Sequence, residues 1–143
     1  MFFSFTNFLF SGDYSIDDQH SFITFKTRHF NTGWVLGTFN DFSGEIYYDT
    51  SNIEKSAVTV FIKPFSIDTG VPERDFHLRI ANFLDTMKYT EITFKSNKIT
   101  KVDEERFKIF GKLMLKGISK DVTLEAKYLN KIQDIWGMKR LVL

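Results

Sequence analysis

Along most of this chain, apolar and polar residues alternate with a period of two, the pattern of a half-buried strand. In SFITFKTRH, Ser21, Ile23, Phe25 and Thr27 share one face, with Phe22, Thr24, Lys26 and Arg28 on the other. SAVTVFIKPF sets Val58, Val60 and Ile62 against Thr59, Phe61 and Lys63. EITFKSNKI sets Ile92, Phe94 and Ser96 against Thr93, Lys95 and Asn97. RFKIFGKLMLKG sets Phe107, Ile109, Gly111, Leu113 and Leu115 against lysines, Phe110 and Met114. KDVTLEAKYL sets Val122, Leu124, Ala126 and Tyr128 against Thr123, Glu125 and Lys127. WVLGTFNDFSGEIYYD predicts one long bent strand, with Gly37 and Gly44 inside it, where an interior glycine marks a bulge or a sharp bend. One apolar and one wet face per strand predicts an antiparallel sheet. The connections are short, and KGISK predicts a tight hairpin, so the strands form a meander that curls toward a barrel or half-barrel.

One stretch breaks the alternation. In PERDFHLRIANFLD, Pro72 suits a first helical turn. Phe76, Ile80, Phe83 and Leu84 fall at i, i+4, i+7 and i+8, one apolar helical face. A short helix around 72–84 is predicted to lie on the sheet, with Asp75 and Arg79 paired at i, i+4.

Composition narrows the function. The 143 residues suit one domain, and the 19 Lys and Arg nearly cancel the 18 Asp and Glu without clustering. That excludes a basic nucleic-acid footprint. There is no cysteine, which removes disulfides, thiolate catalysis and Cys-ligated zinc together. Seventeen phenylalanines point either to a large aromatic core or to an aromatic-walled cavity for an apolar ligand. No run is long enough to span a bilayer as a helix. The apolar MFFSFTNFLF makes residues 1–13 either a signal-peptide remnant or a plain N-terminal extension. The first implies a periplasmic or secreted protein, the second a cytoplasmic one.

Candidate chemistry is sparse. No catalytic residue is assigned: there is no nucleophile elbow, and Asp75 and His77, two apart on a helix, do not face each other. A hydrolase using His77 with Asp75 or Asp68 stays as an alternative, against a His77 that hydrogen-bonds the helix to a strand. His20, His29 and His77 show no metal-ligand spacing, so no metal and no cofactor are assigned. An interior walled by Phe25, Phe39, Phe42, Val60, Ile62, Phe94, Phe107, Leu113 and Leu115 remains. Gly37, Gly44, Ser96, Gly111 and Ala126 would leave space along its axis for a long apolar molecule. A structural stress protein with a filled barrel is the other alternative.

Five segments carry a resemblance: YSIDDQHSFITFKTRH at 14–29, GTFNDFSGEIYYD at 37–49, SIDTGVPERDFHLRIANFLD at 66–85, EITFKS at 91–96 and GKLMLKGISKDVTLEA at 111–126. The chain resembles the YceI-like polyisoprenoid-binding family, most specifically at Asp17, His20 and Ser21 and at Arg74, Asp75, His77 and Leu78. The resemblance implies an all-β, lipocalin-like, antiparallel up-and-down barrel over residues 14–143. It implies a binding protein and not an enzyme. The ligand would be a polyprenyl pyrophosphate, an isoprenoid quinone or a similar lipid, held in a central tunnel. Arg28, His29 and Arg74 are the candidates for a headgroup. Asp17, His20, Ser21, Asp75 and His77 are candidate structural anchors. Family members continue past a WG element into two more strands, whereas here the chain stops at Leu143. The expectation is a C-terminally truncated barrel short of closure, read first as a truncated or frameshifted reading frame, otherwise as edges closed by a second copy in a homodimer or a half-barrel that works as it stands.

Overall fold

In the computed structural model, residues 12–29, 33–133 and 139–143 are described. The N-terminal apolar stretch, residues 30–32 and the Trp136-Gly137 element lie outside them. The described chain forms β1 (Gly12–Ser15), β2 (Ile23–His29), β3 (Gly33–Phe39), β4 (Phe42–Tyr48), β5 (Ala57–Ile62), β6 (Ile67–Asp68), α1 (Pro72–Arg79), β7 (Ile92–Lys101), β8 (Arg106–Leu115), β9 (Ile118–Lys127), β10 (Asn130–Gln133) and β11 (Lys139–Val142). All strand pairs are antiparallel. They make a six-stranded sheet in the order β1-β4-β5-β7-β8-β9, a three-stranded sheet β2-β3-β6, and the hairpin β10-β11. Among the described residues no ladder joins these sheets, so the barrel is not closed.

The long strand predicted over 34–49 is two strands in two sheets. β3 pairs with β2 and β6, whereas β4 pairs with β1 and β5. The corner lies at Asn40 and Asp41, whose backbone N–H groups donate to Ser66 O at 3.2 Å and Ser66 Oγ at 2.9 Å. Neither Gly37 nor Gly44 is a bulge; both sit in regular register. The bulge is between Ser96 and Lys98 on β7. It inserts one residue, so Ile99 rather than Lys98 turns inward and is 3% exposed.

Turn chemistry explains the connections. Lys116 and Gly117 both have positive φ, at 52° and 72°, and join Leu115 to Ile118 in a two-residue hairpin. Asp103 closes the β7–β8 turn, accepting from Arg106 Nε and from the N–H groups of Glu105 and Arg106. Asp49 does the same after β4, accepting from Ser51 Oγ at 2.7 Å and from the Ser51 and Asn52 N–H groups at 2.9 Å. The Ser51 hydroxyl first, then these amides, hold its carboxyl below the usual carboxylate range. The core of the large sheet gathers Val58, Phe94, Ile99, Phe107 and Ile109 from β5, β7 and β8.

The helix is shorter than its apolar spacing predicts, ending at Arg79 and not at 84. The last carbonyls are claimed by tight turns: Leu84 N–H donates to Leu78 O and Thr86 N–H to Arg79 O, both at 3.0 Å. Phe76, Ile80 and Phe83 therefore do not form one buried face and stay exposed. The expected Asp75–Arg79 pair does not form. Asp75 is buried and accepts from Thr69 N–H at 2.9 Å and Thr69 Oγ1 at 2.6 Å. Arg79 donates instead to Phe65 O and Ile67 O, both at 2.8 Å, across its stack on the Phe65 ring.

Candidate functional site

The registers put most of the predicted lining on one face of the six-stranded sheet. One row across it is Phe42, Ile62 and Ile92. The next is Gly44, Val60, Phe94, Leu113 and Lys120. Toward the β9 edge, Leu115 lies opposite Ile118, Ile109 opposite Leu124 and Phe107 opposite Ala126. Phe25 and Phe39 lie apart from these, on adjacent strands of the three-stranded sheet, with ring centroids 5.4 Å apart.

The face is unevenly covered. Phe42, Phe94 and Phe107 are buried and belong to the packed interior. The three glycines Gly37, Gly44 and Gly111 do not leave the axial space expected of them. A Cβ on Gly37 would run into the Phe25 ring, one on Gly44 would meet the Ile16 Cδ1 at 2.6 Å, and one on Gly111 the Phe94 ring at 2.6 Å. Their room is taken by neighbouring side chains, which is why glycine is needed there. What stays uncovered is the β8–β9 side: Leu115 is 38% exposed, Leu124 42% and Ile118 60%.

Lys120 stands in that stripe, between Ile118 and Val122, with no carboxylate bridged to it among the described residues. It was missed as a site residue, although it shares the parity of Val122, Leu124 and Ala126 in the sequence. At the opposite end of the sheet Tyr48 is half-buried, and burial, then the neighbouring Tyr128 and Tyr14, push its phenol up.

The three proposed headgroup residues do not converge. Arg28 lies opposite Trp34 at one end of β3, and His29, the next residue on β2, turns to the other face. Arg74 follows β6, which pairs with β3 at Thr38 and Phe39. Four residue steps of strand from Trp34 to Thr38 separate the two regions by roughly 13 Å. Arg74 Nε donates to Thr69 Oγ1 at 2.7 Å and its Nη2 to Thr69 O at 2.9 Å.

Of the structural anchors, Asp17 Oδ2 meets His20 Nδ1 at 2.9 Å and its Oδ1 accepts from Gln19 N–H, forming a local turn beside Ser21. Asp75 anchors α1, but His77 does not bond it to a strand. His77 is exposed, lies tilted at 54° against the Phe76 ring with centroids 6.1 Å apart, and has no hydrogen-bond partner among the described residues. It lines a shallow concavity of about 370 Å³ with Pro72, Glu73 and Phe76, a set without a hydroxyl nucleophile. Neither expected acid reaches it: Asp75 is taken up by Thr69, and Asp68 accepts from Gly70 N–H at 2.8 Å. Among the described residues no three His, Asp or Glu side chains group as a metal site would need.

A model of the YceI-like domain matches residues 14–140. The chain belongs to the YceI-like family. Protein YceI of Shigella flexneri is 44% identical over 132 residues, covering 91% of this chain and 69% of that protein. The YCEI protein of Campylobacter jejuni, a solved structure, is 33% identical with a TM-score of 0.71, covering 90% of this chain and 75% of its own. Burkholderia cenocepacia BcnA superposes with a TM-score of 0.77 at 21% identity, covering 82% and 74%. At that identity the likeness speaks for the fold alone. The described YceI-like strands thus place an apolar face, partly filled and partly open, at the centre of the site.

Proposed function

We propose that the protein binds one long apolar chain, of the polyisoprenoid type, along the inner face of its large sheet, and does no chemistry on it. Membership of the YceI-like family supports the ligand class. The observation that carries the proposal is the uncovered stripe of Leu115, Ile118 and Leu124, continuous with the buried Phe94 and Ile109. Apolar burial drives such binding at roughly 25 cal/mol per Å² before the costs of association. Lys120, within the stripe, is the cation best placed for an anionic headgroup.

The test is solvent extraction of the purified protein with mass spectrometry, then add-back of a polyprenol and of its pyrophosphate. The expected result is a co-purifying isoprenoid, lost in Ile118→Glu/Leu124→Glu while the fold is kept. Lys120→Glu should weaken the pyrophosphate and spare the polyprenol. A folded wild type that neither carries nor takes up lipid overturns the proposal. That outcome would favour the second reading, a structural protein with a filled interior, which is supported by the occupied space at Gly37, Gly44 and Gly111.

A further inference from the structure

The outer face of β2 and β3 carries a patch that the inner face does not use. Lys26 pairs with Leu36 and Arg28 with Trp34. Trp34 is 59% exposed, Leu36 65%, and Phe22, just before β2, 82%. Solvent-facing strand positions are ordinarily polar, and a cluster of large apolar side chains there marks an interaction surface. The Lys26 ammonium sits 4.4 Å from the Trp34 ring centroid, and the Arg28 guanidinium 6.0 Å from it. Elsewhere Lys63, Lys112, Lys127 and Arg106 are bridged to carboxylates, but among the described residues Lys26 and Arg28 are not. The carboxylate nearest in register on this face, Asp68 opposite Thr38, lies at the far end of β3 and accepts from Gly70 N–H.

We propose that this face docks the protein on an anionic lipid bilayer surface. Tryptophan settles at the headgroup level, its ring body in the apolar boundary and its N–H in water. Lysine and arginine lay their stems along apolar surface and reach anionic headgroups with their charged ends. A second copy of the chain fits less well. A two-fold contact would set the patch against itself and bring Lys26 and Arg28 toward their own counterparts. The inference stands whatever the inner face holds.

The test is co-sedimentation with phosphatidylcholine vesicles, with and without phosphatidylglycerol. Wild type should bind the anionic vesicles, spare the neutral ones and come off as salt is raised. Each basic residue near such a surface contributes about fivefold in partitioning. Lys26→Glu/Arg28→Glu should therefore lose at least about 25-fold. Lys26→Gln/Arg28→Gln should show a smaller loss in a less perturbed chain, and Trp34→Ser/Leu36→Ser should also lose binding. Lys98→Glu/Lys108→Glu, the same charge change on exposed positions of the large sheet, should keep it. Failure of wild type to bind anionic vesicles overturns the proposal, as does an equal loss in the Lys98/Lys108 control. So does a wild-type dimer in sedimentation that Trp34→Ser/Leu36→Ser dissociates, since the face would then be a self-association surface.

Discussion

Asp75 and His77 are two positions apart on α1 and have opposite surroundings. The Asp75 carboxylate is buried and holds Thr69 by both its N–H and its hydroxyl. Asp75→Ala leaves those donors without an acceptor, and hydrogen bonds to a charged group contribute about 1.5–3 kcal/mol. We expect a loss near ~2 kcal/mol in urea unfolding. His77→Ala should stay within about 0.5 kcal/mol, as exposed positions do. Equal losses would show that His77 anchors the helix after all. Helical spacing alone separated these two side chains correctly. It could not say which one was tied, because the partner, Thr69, lies in the loop before the helix. The i, i+4 rule paired Asp75 with Arg79 for a few tenths of a kcal/mol. Two charge-assisted bonds from Arg79 to the Phe65 and Ile67 carbonyls outweigh that. Lys120 was legible, since its parity with Val122 put it on the apolar face. A lysine in an alternating strand is simply assigned to water by habit.

The strands with long, strict alternation were legible because a two-residue period is a local property. What the period misses is a change of phase. In β3 the inward residues are odd, Val35, Gly37 and Phe39; in β4 they are even, Phe42, Gly44 and Ile46. That switch was the available sign of the corner at Asn40 and Asp41. The bulge after Ser96 is the same kind of event within one strand, whereas β6, two residues long, is too short to show a period. The glycines can be tested by substitution. A Cβ at Gly111 would stand 2.5 Å from Lys95 O and 2.6 Å from Phe94 Cζ, one contact being rigid backbone. Gly111→Ala should cost about 1–3 kcal/mol by overpacking. Gly33→Ala meets nothing within 4 Å and should be neutral or gain up to about 1 kcal/mol by restricting the unfolded chain. Urea midpoints of the two variants decide it. A neutral Gly111→Ala would mean that the space beside Phe94 is open, as a tunnel along the axis requires.

The antiparallel all-β class followed from the alternation, but closure depends on which edges meet, and no local pattern encodes that. The large sheet ends at β9, which among the described residues pairs only with β8, and its apolar stripe continues the core's face without cover. Amide hydrogen exchange separates the ways such an edge is satisfied. β5, β7 and β8 are paired on both sides and carry the core cluster, so their amides should exchange only through global unfolding. The β9 amides that point away from β8 should exchange fastest within the large sheet's ladder. Adding a polyprenol that binds the inner face stabilises the folded state by RT ln(1 + [L]/Kd). It should slow the β5, β7 and β8 amides together and leave the outward amides of β9 fast, because an isoprenoid offers no acceptor to a backbone N–H. A second copy pairing along β9 would do the reverse: it would protect those outward amides, and more so as protein concentration rises. Slow exchange there in dilute, lipid-free protein, independent of concentration, would show that the edge is closed within the chain itself.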